Sequence, residues 1–558
     1  MASMAAVPTF NEIYGKRCSD EDLEGLLQRY LVDDWLWNLS RLSCLLCESR
    51  NLQNEYARAF FRFIVPPQMA QPLAVWQKRI RDEGTRPALF SERYVGILIE
   101  LAMLYGSRDL AKRMNGDPKK SLLDALLMLT DLEEQRQLTE GPNAKDMDEV
   151  ASLFAILQDR SQVIDAQAVL VRGAEIYQVT SDPKSEKAQE WERLFQSATG
   201  HMLPAYFAGG ICSLLPAYVM SPEQIANEWK ALPGKFLASD GAEVDGVPGV
   251  YFSLRCGTVD AIAKMVASLE PSNEFDAFNL IPIRRYPLIC YRGEAVFPLF
   301  VRGIAESLCE GVYHTVLTAH LEGRIAENVE YIGGVFGDLF EEYVLRRLAD
   351  RFGDRLIENP ARSDNGDEAA DAVLLCEGGV IVFQIKGCHV PTRRRFALKG
   401  SVEKEKEIER TGLSNAVDQV TSSISFCREG LIPELACYGH PRDLVIQPLV
   451  VTYEPVPALG TKQPFVEGLR ASAQVDDRTR PLVLADVGEI EEFCSLRDGE
   501  SAWSVLSEFS LVQEPTSLHN FFVEKNKITQ EYIRDRVYKL WQLLKRRLLQ
   551  DSIAEPGT

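Results

Sequence analysis

The sequence is short of several features, and each shortage excludes something. Its most apolar stretch, Leu203 to Met220, is interrupted by Pro204, Gly209, Gly210 and Pro216. It therefore reads as a segment packed inside the protein and not as a membrane span. The opening eight residues, Met-Ala-Ser-Met-Ala-Ala-Val-Pro, have no basic region followed by an apolar core, so no secretion signal is expected. The 12 cysteines are scattered without the spacing of a disulfide framework, which fits a reducing cytoplasm. A cytoplasmic protein with no membrane partner is the expectation. The six histidines are isolated, and no G-x-x-x-x-G-K-[ST] loop is present, so the chain brings no recognisable ATPase of its own. Cys44-x-x-Cys47 lies in a helical pattern without a second pair, which argues against zinc. Net positive charge is also missing: the formal charge is −20. A general nucleic-acid coat is excluded, and any contact with phosphate must use a local basic surface.

What is present is ordinary for a folded protein, with 46% hydrophobic and 25% charged residues and no internal repeat. At 558 residues the chain is too long for one core and suggests roughly two to four domains. Residues 1–200 carry apolar positions at three- and four-residue spacing, as in Asp22–Leu45, Val95–Leu104 and Ser121–Leu129, and predict an α-helical domain. Breaks are expected at Pro66-Pro67, Gly116-Asp117-Pro118 and Gly141-Pro142. Ala166–Thr180 fits a strand pair or another helix equally well. Residues 201–325 read as an α+β connecting domain. Gly246–Leu254 and Ile281–Tyr291 are strand-like there, and Glu294–Leu308 and Gly311–His320 are helix-like. Residues 461–558 read as a mostly helical C-terminal region packing on the core.

The texture changes in residues 326–460. Phe336–Phe352 is a strong amphipathic helix. Asp371–Leu375 and Val380–Lys386 flank the turn Glu377-Gly378-Gly379 and predict a β-hairpin. A basic segment, a helix from about Ser414 to Phe426 and the apolar strand Leu444–Tyr453 follow. Alternation along a strand puts Gln384 and Lys386 on one face and turns Ile385 away into the core. Asp371 lies across the hairpin from Gln384. A carboxylate, a side-chain oxygen and a lysine at one hairpin end are what metal-assisted phosphodiester cleavage needs. A solvated strand end would also explain Lys386, but not an acid facing it across the turn.

Asp371, twelve intervening residues and Gln384-Ile385-Lys386 resemble the PD-(D/E)XK nuclease superfamily, in the Q-x-K form of Mrr-like restriction enzymes. Gly337-Asp338-Leu339-Phe340-Glu341 resembles the G-x-x-F-E opening helix of that family. The resemblance is confined to the region 326–460 and implies a restriction-endonuclease-like α/β core, a mixed sheet flanked by helices. It implies that Asp371, Gln384 through its side-chain oxygen, the backbone carbonyl of Ile385 and Glu341 hold Mg2+, with Mn2+ as a substitute. Lys386 would steer the attacking water and offset charge on the phosphate. Gln419 resembles a polar residue that some members supply from the later helix. Gln where Glu is usual removes one negative charge from the ligand set.

Asp367 and Glu368 are rivals of Asp371, and Glu342 is a rival of Glu341. Arg393, Arg394, Arg395 and Lys399 form the useful part of the basic segment and predict contact with a nucleic-acid backbone. By analogy of fold, the whole reads as an Mg2+-dependent endonuclease. Its expected substrate is DNA rather than RNA, and its expected setting is bacterial defence. The N-terminal helical region would meet a protein partner or a second copy. Two other readings stand beside it: a catalytically degenerate nuclease fold that binds nucleic acid or a partner, and an interaction scaffold unrelated to nucleic acid.

Overall fold

The computed structural model describes residues 5–47, 55–83, 86–87, 90, 92–114, 117–139, 166–181, 183–219, 221, 248–268, 280–291, 295–387, 412–454, 464–497, 500–512, 518–525, 527, 536 and 539. The chain is mostly helical. Its first part runs through Asp20–Leu27, Val32–Cys47, Glu55–Ile64, Pro67–Asp82, α1 (Glu92–Tyr105) and Lys119–Thr139. The break at Pro66-Pro67 falls between two helices, where Pro67 sits in the first turn and needs no N–H partner. Ala166–Thr180, open between two readings, forms a helix, α2 (Ala166–Ile176). Glu186–Thr199 and Leu203–Val219 follow, and among the described residues no helix is long and apolar enough to cross a membrane.

The region 201–325 departs from expectation in three places. Pro248–Arg255 is a helix and not a strand. Ile281–Tyr291 divides into a short helix, Ile281–Arg285, and a strand, Leu288–Tyr291. Pro282 in the first helical turn fixes a helical φ there, so the apolar run signals burial and not extension. Ala295–Pro298, read as helix, pairs antiparallel with Leu288–Tyr291. Pro298 ends that strand because it offers no ladder N–H. The helix begins only at α3 (Val301–Leu321), which runs unbroken through Gly311.

The five-stranded sheet is built on the helix α4 (Val329–Phe352) and the strands β1 (Leu356–Glu358), β2 (Ala372–Cys376) and β3 (Gly379–Lys386). It continues with α5 (Leu413–Glu429), β4 (Ile446–Thr452), β5 (Val483–Asp486) and α6 (Val487–Phe493). Asn328 caps α4 by accepting from the Tyr331 N–H at 2.8 Å, and Gly353 ends it at φ 55°. The order in space is β5-β4-β3-β2-β1, antiparallel from β1 to β3 and parallel from β3 to β5. The parallel step from β3 to β4 requires a crossover, and α5 lies within it. The fifth strand comes from residues expected to be helical.

Period-two alternation divides the sheet between two cores. Ile381, Phe383, Ile385, Leu449 and Val451 face α4, and Val380, Val382 and Val450 face α5. Every residue of β2 and β4 is buried, as the apolar run at 444–453 predicts. Each large apolar side chain enclosed in this way contributes about 1.5–3 kcal/mol. The core beneath α4 does not stop at the sheet. It is continuous with Trp35, Leu98, Tyr177, Trp191 and Ile304, and also with Phe522 near the other end. The hairpin turn is covered by Trp503, and a Cβ on Gly378 would lie 2.2 Å from its Nε1, so only glycine fits.

Candidate functional site

Asp371 immediately precedes β2 and lies opposite Gln384, continuing the register that pairs Ala372 with Phe383. Its own backbone is held by the Asn359 N–H, which donates to the Asp371 carbonyl at 3.0 Å. The Asp371 carboxylate is buried, and Gln384 Nε2 donates to both of its oxygens at 2.7 Å. The Ile385 N–H donates to Oδ2 at 2.5 Å. Gln384 therefore turns its amide N–H toward Asp371, and it is the N–H of Ile385, not its carbonyl, that meets the carboxylate. Lys386 closes the strand half-buried, in register with Thr452 of β4, which is in turn in register with Asp486 of β5.

Glu341 arrives from α4, and a close approach of two backbones brings it there. A Cβ on Gly387 would stand 2.8 Å from the Gly337 Cα, so the helix passes directly over the end of β3. Glu341 follows Gly337 by four residues, one helical turn, on the same side. Burial first, then the negative charges of Asp371 and Glu368, push the Glu341 carboxyl up to about 7, against the pull of Lys386. The rivalry with Glu342 is resolved by hydrogen bonding. Glu342 Oε2 accepts from Gln178 Nε2 at 2.9 Å and from Ser185 Oγ at 2.8 Å, which holds it away from the site.

Glu368 is a neighbour of Asp371 and not a substitute for it. An antiparallel bridge between Ala361 and Glu368, with the Ala369 N–H donating to the Pro360 carbonyl at 2.8 Å, sets it beside the strand start. Its carboxyl shares a hydrogen bond with Asp371, and burial and then the Asp371 charge raise its pKa. Asp371 is itself raised, by burial above all, although the N–H donors and Lys386 oppose this. Asp367 turns into an exposed loop, where its carboxylate accepts from Asn365 Nδ2 at 2.6 Å. The sequence signal for Glu368 was only its place three residues before Asp371.

Gln419 is exposed on α5, on the side away from the buried face that packs on the sheet. Arg393, Arg394, Arg395 and Lys399 lie outside the described residues. Among the described residues no three His, Cys, Asp or Glu side chains converge closely enough to hold a metal ion. The chemistry of the donor set nevertheless fits a hard divalent cation. Three carboxyls crowd a single lysine; burial keeps all three protonated more readily than in water, and for Glu341 and Glu368 the Asp371 charge adds to it. A cation would relieve that repulsion, but Asp371 would first have to yield a bond from Gln384. No protein-family model matches the chain, and no curated protein or solved structure matches it either.

Proposed function

We propose that the chain is a metal-dependent nuclease that hydrolyses phosphodiester bonds, with DNA as its substrate and defence against foreign nucleic acid as its setting. One observation carries the reading. Asp371, Gln384 and Lys386 meet at one end of the β2–β3 hairpin, and α4 delivers Glu341 to the same group of charges. The order of helix, antiparallel strands, crossover helix and parallel strand supports a restriction-endonuclease-like core.

In this reading Asp371 and Glu341, with the side-chain oxygen of Gln384 and the backbone carbonyl of Ile385, would hold Mg2+ or Mn2+. Such a cation supplies Lewis acidity and a water of lowered pKa when bound. Lys386 places a positive charge beside these carboxyls, where it offsets charge gathering on a phosphate oxygen. Gln384 fixes the Asp371 carboxylate in plane, and Gly387 lets the backbone of α4 close over the strand end. Arg393, Arg394, Arg395 and Lys399 would track the nucleic-acid backbone, and the helices of the first 200 residues would meet a protein partner or a second copy. A location in the cytoplasm belongs to the same proposal.

A second reading is favoured by a specific observation. Both Asp371 carboxylate oxygens accept N–H bonds from Gln384, and Oδ2 also from Ile385, as they would if the acid served only to cap the strand end. The site would then be a degenerate one that binds nucleic acid or a partner. The deciding experiment incubates wild type, Asp371→Ala and Lys386→Ala with plasmid, linear DNA, single-stranded DNA and RNA, each with Mg2+, Mn2+ or EDTA. Metal-dependent cleavage lost in both variants supports the nuclease; salt-sensitive binding without cleavage supports the degenerate module.

A further inference from the structure

The far side of α4 from the candidate site is bound into an ion cluster that the proposed chemistry does not use. Arg172 of α2 donates Nε and Nη2 to the two oxygens of Glu491 in α6, each at 2.8 Å, and both side chains are enclosed. Tyr343 of α4 donates its hydroxyl to the same carboxylate. Arg536 donates to the Tyr343 hydroxyl at 3.1 Å and to both oxygens of Glu175 in α2, one of them at 3.2 Å. Arg346 of α4 adds a bond to the Glu175 carbonyl at 2.7 Å. Residues from three distant parts of the chain thus grip one helix.

Tyr343 is two residues beyond Glu341. At about 100° per residue the two side chains leave α4 on nearly opposite sides. Any rotation of the helix that releases Tyr343 swings Glu341 away from Asp371 and Lys386. Within the cluster Arg536 joins Glu175 to Tyr343, and its planar fork meets both partners at once, which a lysine cannot do. Glu342, held by Gln178 and Ser185, fixes the intervening face of the same turn.

We propose that Arg536 is a positioning residue for Glu341, acting through Tyr343 and Glu175 to lock the rotation of α4. The C-terminal part of the chain thereby governs whether the candidate site is assembled. For its effect on cleavage the proposal rests on the nuclease reading; for its effect on α4 it does not.

The test compares full-length wild type, Arg536→Gln and Arg428→Gln. Arg428 pairs with Asp476 at 2.6 and 3.0 Å on the α5 side of the sheet, so its loss removes a comparable ion pair elsewhere. At a temperature where all three are folded, amide hydrogen exchange is followed in 337–347 and in α5, and plasmid cleavage is followed against Mg2+ concentration. Arg536→Gln is expected to speed exchange in 337–347 at least tenfold without changing α5. It should also slow saturated cleavage at least tenfold, while Arg428→Gln leaves both readouts of α4 and cleavage near wild type. Unchanged exchange in 337–347, or equal acceleration in α5, overturns the proposal. So does faster exchange in α4 with wild-type cleavage. If wild type cleaves nothing with any metal, the nuclease reading fails on its own, and the exchange measurement alone decides whether Arg536 holds α4.

Discussion

Gly387 and Gly337 approach so closely that a methyl group on Gly387 would lie 2.8 Å from the Gly337 Cα. The atom in the way is backbone, which cannot rotate aside. Gly387→Ala should therefore push α4 off the end of β3 at a cost of about 1–3 kcal/mol, the range for overpacking. Cleavage should fall more than tenfold, because Glu341 moves with the helix. Thermal unfolding and plasmid cleavage of the variant check both parts, and a normal rate would place Glu341 outside the chemistry.

Asp371→Ala should abolish cleavage, as should Lys386→Ala, but the two should differ in stability. From sequence, losing one of several clustered acids relieves repulsion and leaves stability almost unchanged. The structure adds a term of the other sign: without the carboxylate, the Ile385 N–H and the Gln384 amide lose their acceptor. A buried donor left unpaired costs about 1–3 kcal/mol, so Asp371→Ala should melt below wild type. Lys386→Ala, whose side chain is only half-buried, should melt close to it.

Gln384 separates the two readings of the site. If its side-chain oxygen is a ligand, Gln384→Leu should weaken Mn2+ binding, read by calorimetry, by tenfold or more. If its N–H merely holds Asp371, the same change should leave affinity equal or higher. Gln384→Glu restores a negative charge and should strengthen metal binding in a working site while cleavage is kept or raised.

A pH effect is expected far from the site. Glu100 of α1 is buried, and burial pushes its carboxyl up to about 8, with the Arg284 charge and the Ile283 backbone N–H only partly opposing. The folded protein then holds a proton that the unfolded chain has lost, so stability falls as pH rises from about 4.5, the ordinary value, to about 8. The full effect is on the order of 5 kcal/mol at 1.36 kcal/mol per unit. Glu100→Gln should flatten the decline and melt higher than wild type at pH 8.5. Parallel melting curves across that window would contradict the assignment.

The sequence disclosed the local parts of this arrangement well. The alternation that sends Ile385 inward and leaves Gln384 beside Asp371 depends only on strand geometry, and the helix at Phe336–Phe352 on spacing along one face. Glu341 and Glu342 were indistinguishable because the choice between them is made by Gln178 and Ser185, more than 150 residues earlier. Pro248–Arg255 misled because its apolar residues pack on neighbours, and packing does not reveal period in so short a run. Arg172 and Glu491 gave no signal at all, since nothing local links residues 319 apart.

The aromatic contacts beneath α4 bear on how this chain can change over generations. Trp191 stacks on Tyr313 at 6.1 Å between ring centres and lies 5.9 Å from Phe336, which meets Tyr453 edge-on at 5.0 Å. The rings come from segments read as helical region, connecting region and nuclease core. A shuffled gene that kept the hairpin and its helix but took the first 325 residues from elsewhere would leave Phe336 and Tyr453 facing water. Heredity must carry these distant stretches together, so a substitution at Trp191 or Tyr313 is felt by the same helix that carries Glu341.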